Sequence, residues 1–175
     1  MKPSERKLYD YLEEYAQKRG EERFLADEEN SYTVSETFGI VKSLAEQLEN
    51  AGVKSGDFVS VKADRTVKTI LVFYALEIMG AVAVMHDPRE RMTHDIRIED
   101  GILNAYGRET TLSFEAREVK KLKVSEDGKA AGAVIFTSGS TGERKAVVLS
   151  QYNFINNSLD TLEIGGYRED DINIL

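Results

Sequence analysis

The order of apolar patterns along this chain predicts an α/β fold: a largely parallel sheet flanked by helices. Three observations carry that expectation. A β-branched run at 59–63, a strongly apolar helical stretch at 66–79 and a second strand-like run opening at Gly80 follow one another. Such strand–helix–strand alternation is the mark of parallel pairing. Gly80-Ala81-Val82-Ala83-Val84 is continuously apolar, as a strand covered on both faces should be. Gly52 and Gly56, with Asp57, fall where a helix must turn into a strand, so turn-making is their expected work.

Taken in order, the chain opens with Ser4 as a possible cap for a first helix. Its apolar positions Leu8, Tyr11, Leu12 and Tyr15 fall at i, i+3, i+4 and i+7, and Gly20 ends it. Residues 24–27 read as a short strand, 28–30 as a turn and 31–34 as the return strand. From 35 to 50 the spacing of Phe38, Val41, Leu44, Ala45 and Leu48 predicts a second helix, closed by Gly52. The third helix, 66–79, must lie against the sheet. Between 89 and 129 the pattern is weak: 95–99 and 110–114 are strand candidates, 115–123 is open between helix and strand, and 125–129 is a loop. Residues 145–150 form a strand, a helix runs from Asn153 to about Ile164 before Gly165-Gly166, and 170–175 starts another strand that ends abruptly. His86 and His94, the only histidines, are eight apart without a carboxylate or thiolate at ligand spacing, so both are expected at the surface.

Composition narrows the function classes. The chain has 175 residues, enough for one domain with a real core. Lys plus Arg number 23 against 31 Asp plus Glu, a formal charge of −8, which argues against nucleic-acid and anionic-membrane partners. There is no cysteine, which excludes disulfides, thiolate zinc sites and cysteine nucleophiles. The N-terminus leads into a charged amphipathic stretch, not a signal peptide. The longest apolar run, 70–85, is interrupted by Glu77 and Gly80 and is too short to span a bilayer. A cytoplasmic setting is the expectation.

The most informative stretch is 133–149. Two apolar, β-rich runs bracket a loop carrying the hydroxyls of Thr137, Ser138, Ser140 and Thr141, the glycines Gly139 and Gly142, and the cations Arg144 and Lys145. Glycines let backbone N–H groups approach an anion where a Cβ would block them. Hydroxyls add donors that rotate to suit each oxygen, and a lysine supplies a point charge on a flexible stem. The inventory is that of a polyphosphate cradle. A Ser/Gly turn that merely joins two strands is the alternative. The Walker pattern is excluded because Lys145 follows Arg144 and precedes Ala146; the dinucleotide fingerprint Gly-x-Gly-x-x-Gly is absent too.

Thr137-Ser138-Gly139-Ser140-Thr141-Gly142-x-x-Lys145 resembles the signature loop of the adenylate-forming (AMP-binding) superfamily, which includes acyl- and aryl-CoA ligases, peptide-synthetase adenylation domains and luciferases. Other stretches share its wording. Gly52-Val53-Lys54-Ser55-Gly56-Asp57-Phe58-Val59 matches Gly-Val-x-x-Gly-Asp-x-Val, Asp87-Pro88 matches the end of Pro-x-Asn/Asp-Pro, and Tyr32, Thr33 and Glu36 resemble an opening Tyr-x-Glu-Leu in shifted register. Arg144 stands where the family has proline and Ala146 where it has glycine. The segment 89–129 is shorter than its counterpart.

The resemblance implies that Thr137, Ser138, Gly139, Ser140, Thr141, Gly142 and Lys145 hold the β- and γ-phosphates of ATP while a carboxylate attacks the α-phosphate, giving an acyl-adenylate and pyrophosphate. It implies ATP and Mg²⁺ as cofactors, a small carboxylic acid as substrate, and coenzyme A or a carrier thiol as acceptor. It covers 31–175 except 89–129, so 1–175 is expected to be the N-terminal portion of the family's large domain. The adenine pocket, the acid for Mg²⁺ and the catalytic lysine would then lie beyond it, with no catalytic residue inside and no acyl-adenylate formed by this chain alone. A reading from another class is a non-catalytic module that binds a nucleotide or a protein partner.

Overall fold

The computed structural model describes residues 6–87, 94–137, 145–168 and 171. Its chain begins with helix α1 (Leu8–Arg19) and an antiparallel hairpin of β1 (Arg23–Ala26) and β2 (Ser31–Thr33). Ser4, the expected cap of α1, lies outside the described residues; the helix start is held by Asp10, whose carboxylate accepts from the Lys7 N–H at 2.8 Å. Gly20 follows its last residue, as expected.

Helix α2 (Val34–Asn50) starts on a reciprocal cap. The Glu36 N–H donates to Thr33 Oγ1 at 3.2 Å, and the Thr33 N–H donates to Glu36 Oε2 at 2.8 Å. This capping box satisfies two otherwise orphaned amides. It gives Thr33 and Glu36 a physical role that the motif resemblance did not supply.

Seven strands form the main sheet: β3 (Phe58–Lys62), β4 (Val82–His86), β5 (Ile96–Glu99), β6 (Ile102–Ala105), β7 (Arg108–Thr111), β8 (Ala131–Phe136) and β9 (Ala146–Ser150), in the order β7-β6-β5-β3-β4-β8-β9. The central four, β5, β3, β4 and β8, are parallel, and β6, β7 and β9 are antiparallel edges. The expected parallel sheet is therefore its core, where helix α3 (Val67–Met79) makes the crossover between β3 and β4.

The weakly patterned segment supplied the largest departure. Of the two strand candidates, 95–99 became β5 and 110–114 shifted back to β7, while β6 was not expected at all. Asp100-Gly101 (φ 50° and 78°) and Tyr106-Gly107 (φ 51° and 77°) both have two successive left-handed residues. That is the geometry of tight hairpin turns, and Asp-Gly is one of its strongest sequence signals. Residues 115–123 form neither helix nor strand. They cross α2 so closely that a Cβ on Gly39 would lie 2.8 Å from the Ala116 Cβ. Gln47 pins this crossing, donating to the Ser113 carbonyl at 3.0 Å and accepting from its N–H at 2.8 Å.

The helices pack on the sheet face that shows Val59, Val61, Ala83, Ile98, Leu103 and Ala133. Leu44, Leu48, Leu71 and Leu76 are fully buried there, each contributing roughly 1.5–3 kcal/mol by leaving water. Val82, Val84 and Val134 form a smaller cluster on the opposite face. Strand β4 is thus covered on both faces, as its unbroken apolar run foretold. Helix α4 (Gln151–Gly165), capped by Ser150, follows β9, and its Phe154 meets Phe73 of α3 edge-on at 5.5 Å. Except for Asp171, the strand expected at 170–175 lies outside the described residues. Among the described residues no helix is long and apolar enough to cross a membrane.

Candidate phosphate-binding site

Strand β8 runs parallel to β4 and ends at Phe136, so the chain after it leaves from the carboxyl edge of the parallel strands. In open α/β sheets that edge is where ligands are received. Strand β9 returns antiparallel, pairing Phe136 with Ala146 and Ile135 with Val147. One step beyond the last pair, the Thr137 N–H donates to the Lys145 carbonyl at 3.0 Å and the Lys145 N–H to Thr137 Oγ1 at 3.3 Å. These bonds hold Thr137 and Lys145 side by side in a neck at the ends of β8 and β9.

Thr137 and Lys145 are the two expected phosphate ligands that the structure brings together, both exposed. Ser138, Gly139, Ser140, Thr141 and Gly142, with Arg144, lie outside the described residues. The Thr137 hydroxyl is engaged as an acceptor toward Lys145, so its own hydrogen is the donor it offers to a ligand.

The same edge carries other polar groups. Asp64, just past β3, accepts from Thr66 Oγ1 at 2.7 Å and from the Thr69 hydroxyl, fixing the start of α3. The Lys62 ammonium pairs with Asp100 Oδ1 at 2.9 Å, and that bond raises its pKa. A cleft of about 700 Å³ opens beside the strand ends, with Ile70, Phe73, Met85 and Ile135 as apolar lining and Asp64 and Arg65 among its polar groups. Among the described residues no three His, Asp or Glu side chains converge as metal ligands.

His86 corrects an expectation. Its ring, expected at the surface, is 2% exposed at the end of β4, because the even positions of that strand face the cluster of Val82, Val84 and Val134. Nδ1 lies 3.1 Å from the Asp87 carbonyl, which can only accept, so Nδ1 is the donor there, and Nε2 is buried without a partner among the described residues. Asp57 behaves as expected of a turn residue, accepting from the Lys54 N–H at 2.8 Å and the Tyr106 hydroxyl at 3.0 Å.

Sequence reasoning noted Glu77 only as an interruption of an apolar run. In α3 it is 1% exposed, its two carboxyl oxygens have no hydrogen-bond partner, and burial pushes its pKa up to about 8. A lone acid within Leu71–Met79 was the available signal, since an uncompensated carboxylate in a core is costly.

Comparison with known proteins agrees with this architecture. Residues 12–97 match the sequence profile of the AMP-binding enzyme family. A 2-succinylbenzoate–CoA ligase of Bacillus cereus is 28% identical over 162 residues, covering 82% of this chain and 33% of the ligase. The hybrid PKS-NRPS synthetase apdA of Emericella nidulans is 26% identical over 168 residues, 83% of this chain and 4% of the synthetase. This chain thus spans a third or less of the length of these curated relatives. Among solved structures, a long-chain-fatty-acid–CoA ligase (FadD1) from Archaeoglobus fulgidus superposes with a TM-score of 0.74 at 18% identity, over 95% of this chain and 41% of that one. Residues 12–97 are therefore similar to the AMP-binding enzyme family, and the chain shares its fold with adenylate-forming enzymes such as that ligase.

Proposed function

We propose that residues 1–175 are the N-terminal portion of the large domain of an ATP-dependent carboxylate ligase, and that their part in the chemistry is to grip the phosphates of ATP. The observation that carries this reading is the neck between Thr137 and Lys145, which sets the two ends of the hydroxyl- and glycine-rich loop side by side at the carboxyl edge of β8. Thr137, Ser138, Gly139, Ser140, Thr141 and Gly142 supply hydroxyl and backbone donors, and Lys145 the cation. Together they hold the β- and γ-phosphates as a carboxylate attacks the α-phosphate in line. Such displacements are accelerated by positioning and by stabilising the charge that leaves, here pyrophosphate.

Magnesium would accompany the nucleotide and would help to stabilise the charge of the leaving pyrophosphate. The coenzyme A ligases among the similar proteins support an acid thioester as the product of the whole enzyme, with a carrier thiol as the other acceptor class. A cytoplasmic setting belongs to the same proposal.

Calorimetric titration of the chain with Mg-ATP and with pyrophosphate tests the grip. Both should bind with similar, low affinity. Thr141→Ala removes a donor between two glycines and should weaken binding about tenfold or more, the worth of one charge-assisted hydrogen bond. Glu143→Ala removes a repelling charge and should not weaken it. Equal losses from the two substitutions would reduce the loop to a turn.

A further inference from the structure

On the helical side of the sheet, α1, α3 and α4 enclose a cleft of about 430 Å³, within the range of small-molecule sites. Its wall is mainly apolar and rich in aromatic side chains, among them Tyr11, Tyr15, Phe73, Tyr74 and Phe154. Among the described residues one acid, Glu77, lies in that wall, and no lysine or arginine does. The Arg6 guanidinium stacks on the Tyr11 ring at 4.1 Å but is already paired with Glu14. Glu77 is buried with both carboxyl oxygens unpartnered, and among the described residues that line the cleft none carries a counter-charge for it.

We propose that this cleft binds a small apolar amine, its ammonium paired with the Glu77 carboxylate and its hydrocarbon or ring held among the aromatic side chains. A buried carboxylate is tolerated when it is paired and hydrogen-bonded, and an ammonium supplies both the charge and the donors. Aromatic faces attract the same cation, more strongly when water is excluded. An anionic ligand would meet an acid and no cation.

The carboxyl now lies over Gly132 of β8, where a Cβ would come within 2.6 Å of either oxygen. Pairing draws it out of that seam by rotation about its side-chain bonds. The Glu77 backbone stays in place, because its carbonyl is held by the Gln151 side-chain amide.

Benzylamine and benzyl alcohol, nearly equal in shape, are the probes, titrated by calorimetry and by amide NMR shifts at pH 7. Benzylamine should bind saturably, at least tenfold tighter than the alcohol, with shifts centred on α1, α3 and α4. Because free Glu77 titrates near 8, forming the ion pair should release close to one proton per amine bound, read from titrations in two buffers of different ionisation enthalpy. Glu77→Gln should bring amine affinity down to that of the alcohol and abolish proton release while the variant melts cooperatively. Absence of saturable binding, equal affinity of the two probes, or amine binding without proton release by the wild-type chain would each overturn the proposal.

Discussion

Replacing Glu77 by glutamine should stabilise the protein, and by an amount that grows with pH. Burial raises the Glu77 pKa from 4.5 to about 8. An acid whose folded-state pKa lies above its unfolded value keeps its contribution below 4.5 and loses it as pH rises toward 8, because the unfolded chain ionises freely and the folded one does not. Each unit between the two values is worth about 1.36 kcal/mol. The difference, 8 − 4.5 = 3.5, gives a ceiling of about 5 kcal/mol above pH 8, about 3 kcal/mol at pH 7 and about 1 kcal/mol at pH 5. Glutamine has nearly the same shape and leaves its own amide unpaired, a fixed cost that does not vary with pH. Urea unfolding of both proteins at pH 5, 7 and 9 should therefore show curves that diverge with pH, the variant becoming relatively more stable. Parallel pH profiles would refute the reasoning: they would mean that the carboxylate finds a partner or reaches water when it ionises.

Two further tests address packing and local order. Gly132→Ala puts a Cβ 2.6 Å from both Glu77 oxygens and should cost roughly 1–3 kcal/mol; combined with Glu77→Ala the penalty should largely vanish, and additive losses in the double-mutant cycle would show that the two residues do not touch. Thr33→Ala removes one half of the α2 capping box and should cost about 1 kcal/mol, lowering the melting temperature by about 2–4 °C. An unchanged melting point would mean that packing alone holds the start of α2.

The parts of the fold that rest on local pattern were legible in the sequence. Apolar spacing marked α1 and α2, a strongly apolar stretch marked α3, Gly165-Gly166 marked the end of α4, and an unbroken apolar run marked β4 as a strand covered on both sides, because burial on two faces leaves no room for alternating polar residues. The density of hydroxyls, glycines and cations from Thr137 to Lys145 marked the candidate site, since donors that are close together in one loop can converge on an anion without help from distant segments.

Tertiary structure decided whatever depends on partners distant along the chain. The short strands β6 and β7 carry little pattern of their own, and the Asp-Gly turn that starts the hairpin gains meaning only beside β5. Residues 115–123 are fixed by the close approach of Gly39 and the clamp of Gln47, neither of which has a local signature. The burial of Glu77, and of His86 against the expectation of a surface position, was decided the same way. An acid in an apolar helix and a histidine after a strand read alike whether they face water or the core, because solvation is set by what packs over a side chain. Here that is Gly132 and α4 for Glu77, and the side of β4 shared with Val82 and Val84 for His86.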